Sequence, residues 1–131
     1  MSPTRFLRRY GRVLRVTMST LTLARYILEL SLVDYSYNVE LSESLLAASC
    51  LVLACEMKGV AGWEDTLRFY SGYSPADLVG TVGRLHGMMK EGKVMGNVKT
   101  VTAKYSHVVF HEVAKIPLPD TVTVVREQKL L

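Results

Sequence analysis

The chain has 131 residues, 49% of them apolar and 21% charged, the length of one ordinary domain with enough apolar mass for a core of its own. Ordinary glycine and proline contents exclude disordered and collagen-like chains, and two cysteines are too few for a secreted disulfide scaffold, which points to reduced thiols. A net charge of +4 permits nucleic acid, acidic partners or anionic lipid without selecting among them.

The first element is the stretch RFLRRYGRVLR at 5–15, five arginines without an acid. No Asp or Glu occurs before Glu29, so the positive field lies at this end. On a helix, Arg5, Arg8, Arg9, Arg12 and Arg15 fall within about 120° of arc. Phe6, Leu7, Tyr10, Val13 and Leu14 occupy the other side, which makes a basic amphipathic helix. Such a segment suits a targeting presequence, a membrane-surface helix or a phosphate-binding face, or else docks its apolar side on the domain and leaves the arginines wet.

A second helix is expected over 19–35, capped by Ser19 or Thr20 and apolar along Leu23, Ile27, Leu30 and Val33. Ser42 caps a third, whose run LLAASCLVLACEM at 45–57 is too short for the roughly twenty residues of a membrane span. Its apolar surface on nearly all sides, with Ala47, Ala48, Ser49 and Ala54 as small residues, marks the central helix. GVAG at 59–62 breaks it, and a short helix over 63–70 ends at Gly72.

SPAD at 74–77 starts the next helix, with Ser74 as cap, Pro75 at the first helical position and Asp77 closing a capping box. Leu78, Val82, Leu85 and Met89 form its apolar face. Gly80, Gly83 and Gly87 line the other, each costing about 1 kcal/mol against alanine, so either a surface approaches there or the helix is marginal. A last helix over 98–113 is expected to put Val101, Tyr105, Val108 and Glu112 in one row until Pro117 and Pro119 stop it. The tail from 117 to 131 reads as extended or disordered.

Catalytic and metal chemistry find little footing. His107 and His111 are four apart, a spacing that serves two metal ligands on a helix, yet no third ligand accompanies them. His86 has no partner that nominates it as a base. Cys50 and Cys55 sit in the apolar helix about 140° apart, where they cannot pair and their thiols resist ionisation. GTVGRLHG matches no phosphate-loop spacing. The reading is a protein that is not an enzyme and carries no cofactor or metal.

The pieces FLRRYGR at 6–12, TLTLARYILELSLVDYSY at 20–37, LAAS at 46–49, TLRFYSGYSPADL at 66–78 and KYSHVVFHEVAKIP at 104–117 together resemble the C-terminal cyclin box of B-type mitotic cyclins, most of all their B-three subgroup. The resemblance runs from about residue 3 to 119. It implies an all-α fold of five helices, a cyclin box over 19–116, preceded by a linker helix over 1–18 and followed by the tail.

The resemblance also implies a non-catalytic regulatory subunit of a cyclin-dependent kinase, placed in nucleus and cytoplasm. Phe6, Leu7 and Tyr10 would pack at the junction with a first cyclin box, the arginines facing outward. Only MSPT precedes the matching region here, so the expectation is a second box without the first, unable to activate a kinase alone and prone to self-association through uncovered surface. No membrane and no small-molecule substrate are expected. The alternative is a free-standing cyclin-like module that binds nucleic acid through Arg5, Arg8, Arg9, Arg12 and Arg15, and a third reading takes the first seventeen residues as an organelle-targeting helix.

Overall fold

A computed structural model describes residues 2–33, 42–91 and 96–120. Six α-helices account for most of them, and no strand occurs among the described residues: α1 (Pro3–Leu14), α2 (Met18–Val33), α3 (Glu43–Lys58), α4 (Glu64–Ser71), α5 (Pro75–Glu91) and α6 (Gly96–Tyr105). Two short 3-10 turns follow, Val108–Phe110 and Val113–Lys115. None of the described helices is long and apolar enough to cross a membrane. The all-α expectation holds.

Local chemistry sets most of the boundaries. Ser42 caps α3 by accepting from the Leu45 N–H at 3.1 Å. Gly59, at φ +71°, ends it in the left-handed conformation that glycine adopts without steric cost; its N–H meets the Glu56 carbonyl and that of Val60 the Cys55 carbonyl, a Schellman motif. The expected capping box opens α5: the Ser74 N–H donates to Asp77 Oδ2 at 2.8 Å, and the Asp77 N–H donates back to Ser74 Oγ at 3.3 Å. The cap of α2 lies two residues earlier than Ser19, because Thr17 Oγ1 accepts from the Thr20 N–H at 3.1 Å.

Helix α3 is the hub. Every residue from Leu46 to Cys55 is buried, and α1, α2 and α5 pack around it. Its Ala47, Ala48 and Ala54 let these neighbours approach closely. Leu23, Ala24, Ile27 and Leu30 of α2 and Leu78, Val82 and Leu85 of α5 complete the core. On α5 Met88 is the buried methionine, and the expected Met89 packs partly buried against the core. Two of the polar residues drawn inside are satisfied along their own helix: Thr22 Oγ1 donates to the Met18 carbonyl at 2.7 Å and Ser31 Oγ to that of Leu28 at 2.6 Å.

The sequence reading is corrected at the last helix. α6 stops at Tyr105, not at residue 113. Ser106 Oγ donates to the Thr102 carbonyl at 2.8 Å, His107 turns extended, and His111 and Glu112 take φ of +58° and +52°. The tertiary reason is that Tyr105 and Val113 both reach the core with 0% exposure while the Val113–Lys115 turn packs back on α6 as well as α2, which an unbroken helix, carrying residue 113 about 12 Å beyond Tyr105 along its axis, cannot do. The chain therefore loops between them and leaves Val108 and Val109 74% and 75% exposed. The expected row of Val101, Tyr105, Val108 and Glu112 does not exist. The tail beyond residue 120 lies outside the described residues.

Candidate functional site

The arginine-rich segment forms α1 as its pattern predicts, with Pro3 at the first turn, where a missing N–H costs nothing. The apolar side docks on the domain. Leu7 is 0% exposed and Tyr10 3%, both within the core; burial pushes the Tyr10 hydroxyl above its ordinary pKa, with Tyr73 adding to the rise. Phe6 stays half-buried, its ring centroid 6.0 Å from that of Tyr10.

Arg5, Arg8, Arg9 and Arg12 are exposed on the outer side of α1. Arg15 is exposed as well, but it is not on the helix: at φ +55° it is the left-handed capping residue, its N–H on the Arg12 carbonyl at 3.2 Å. The predicted stripe of five is thus four helical arginines and a cap. This cap turns the chain so sharply that α2 begins three residues later, alongside α1. Gly11 is buried at that approach, where a Cβ would stand 2.9 Å from Leu21 Cδ1.

The two helices enclose a groove of about 380 Å³. Leu7, Gly11, Val16 and Leu21 line its apolar part, and Arg8, Arg12 and Arg25 its cationic part, with no carboxylate among the lining residues. Three guanidinium groups beside apolar carbon suit an anionic side chain carried on a peptide, since guanidinium forks carboxylate or phosphate oxygens in pairs. Arg5 and Arg9 do not line it. Arg25 was missed as part of the basic face because it belongs to another helix; the signal available was the small Gly11 followed by a turn too short to separate α1 from α2.

The remaining chemistry-bearing residues stay apart. His107 and His111 flank a 3-10 turn and share no helical face, and no group of three or more potential metal ligands occurs among the described residues. His86 donates through Nε2 to the Pro119 carbonyl at 2.6 Å, which pins the segment after the last turn to α5. Cys50 and Cys55 are free and buried; burial pushes the Cys50 thiol far up, and burial with the nearby Glu56 and Glu64 charges pushes that of Cys55 to about 12. Neither is a nucleophile near neutral pH. A Cβ added at Gly80 or Gly87 would meet nothing within 4 Å among the described residues.

Comparison with known proteins agrees with this helical architecture. Residues 1–119 match the family described as cyclin, C-terminal domain. The chain is 48% identical over 120 residues to a G2/mitotic-specific cyclin-B3 of Drosophila melanogaster, covering 87% of this chain and 20% of that protein. It is 48% identical over 113 residues to that of Gallus gallus, covering 86% and 28%. With that of Homo sapiens it shares 46% over 115 residues, covering 88% and 8%. The chain therefore spans less than a third of the length of these relatives. Central α3, the helices packed around it and the match over nearly all described residues lead to one assignment: the chain belongs to the cyclin C-terminal domain family.

Proposed function

We propose that this chain acts as the C-terminal cyclin domain of a mitotic B-type cyclin, a non-catalytic regulatory subunit of a cyclin-dependent kinase. The observation that carries the reading is the identity of 46 to 48% to the three cyclin-B3 proteins across most of the chain. Its work is protein contact: it supports a first cyclin box and offers the α1/α2 groove to anionic segments of partner proteins. Phe6, half-buried beside Tyr10, is the residue of the predicted junction with surface left for a neighbouring domain. The site of action is nucleus and cytoplasm, where a mitotic kinase meets its substrates.

The test is a domain exchange in which this chain replaces the C-terminal domain of a cyclin-B3. The chimera is expected to bind and activate the kinase, while the 131-residue chain alone does not raise histone phosphorylation. A chimera that folds yet leaves the kinase inactive, or full activation by the chain alone, overturns the reading.

A further inference from the structure

The sequence contains two Ser-Pro steps and no Thr-Pro step. Both open helices: Pro3 is the first residue of α1 and Pro75 the first of α5. They differ three positions after the serine, where one has Arg5 and the other Asp77. That difference reverses the electrostatics of the two hydroxyls.

Ser74 is engaged. Its Oγ donates to Asp77 Oδ2 at 3.0 Å while accepting the Asp77 N–H at 3.3 Å. A phosphate there would break the capping box and stand against a carboxylate. Ser2 is the converse. It is exposed, its backbone is extended at φ −72° and ψ 156°, and its side chain makes no capping bond. The first turn of α1 holds no acid, and Arg5, Arg8 and Arg9 are exposed with no ion pair among the described residues.

We infer that Ser2 is a phosphorylation site for a proline-directed protein kinase, and that Ser74 is not. Proline at the following position withholds an N–H, which admits only kinases whose substrate cleft does not require that donor, and Arg5 supplies a cation for an acidic subsite. Ser2 is already in the extended form such a cleft takes, and opening the end turn of a helix is inexpensive. In the reaction, the Ser2 oxygen forms a bond to the γ-phosphorus of ATP as the bond from that phosphorus to the β,γ-bridging oxygen breaks. ADP leaves, and the hydroxyl proton passes to the kinase's base.

The product places a charge of about −1.5 to −2 beside Arg5 and the Thr4 N–H. It therefore tightens the first turn of α1 and lowers the positive charge of its outer face. The inference does not rest on the cyclin reading, since any kinase of this specificity suffices.

The experiment treats the whole chain with ATP and a purified proline-directed kinase that accepts Ser-Pro-x-Arg peptides, then maps phosphate by fragmentation mass spectrometry and measures Tm. The expected result is one phosphate, on Ser2, with Tm raised by about 2–5 °C. Ser2→Ala takes up none, and Arg5→Gln is phosphorylated more slowly and shows a smaller Tm rise. Phosphate on Ser74, no phosphate on Ser2, or phosphorylation that leaves Tm unchanged or lower overturns the inference.

Discussion

Tyr105, fully buried on α6, donates its hydroxyl hydrogen to the Glu29 carboxylate of α2 over 2.7 Å. Lys104 reaches the same oxygen at 3.2 Å and lies 5.1 Å and 5.3 Å from the ring centroids of Tyr105 and Phe110. This cluster fastens the last helix to the domain, and removing its central bond tests that role. Tyr105→Phe keeps the ring and loses the hydroxyl, so we expect a loss of about 1–2 kcal/mol. Chemical denaturation checks it.

The same group makes a pH prediction. Burial first, then the Glu29 hydrogen bond and charge, raise the Tyr105 pKa above its ordinary 10.0. The folded state therefore favours neutral tyrosine, and this stabilisation is complete below about pH 10 and lost as pH rises above it, where only the unfolded chain ionises. Tm of the parent protein is expected to fall more steeply from about pH 9 to about pH 11 than Tm of Tyr105→Phe. Parallel slopes would remove the assignment.

Gly80 and Gly87 weaken α5 without allowing any close contact among the described residues. Alanine at either position is expected to stabilise the fold by about 0.5–1 kcal/mol, through a smaller loss of backbone entropy and better helix propensity. Thermal melts of the two single variants and the double decide this, with near-additive gains expected for sites two turns apart.

Ser49 is buried in α3 with 0% exposure, and its Oγ has no hydrogen-bond partner among the described residues. An unsatisfied buried hydroxyl costs stability, and alanine is the better helix former. Ser49→Ala is expected to stabilise by about 1 kcal/mol. A loss of stability in urea unfolding would show that the hydroxyl is engaged.

The groove makes a binding prediction. Replacing Arg8, Arg12 and Arg25 together by alanine is expected to leave helicity unchanged, because all three are exposed, and to weaken capture of an acidic peptide by about tenfold or more. Raising salt should erode parental binding in the same direction. Calorimetry on both proteins at two ionic strengths measures it, and equal affinities would take the three arginines out of the contact.

Much of the fold is legible because its signals are local. The Ser74 to Asp77 box, the Ser42 cap and the left-handed Gly59 and Gly72 depend on residues within a turn of each other, as does the small-residue character of α3. The end of α6 is not legible in that way. The periodicity of 98–113 fits a helix, but the demand that Tyr105 and Val113 both enter the core comes from α2, far away in the chain.

The amino-acid order by itself determined an arginine helix with one apolar side, six helical segments and a central one apolar all round, because helix propensity, caps and periodicity act over short range. Only the tertiary structure decided which apolar residues of α1 are covered, leaving Leu7 and Tyr10 inside and Phe6 half outside. It also decided that Arg25 of α2 joins Arg8 and Arg12 of α1 around one groove. Charge in a sequence is a list of positions; a site needs those charges around one groove, and here Gly11 and the left-handed turn at Arg15 bring the two helices together to form it.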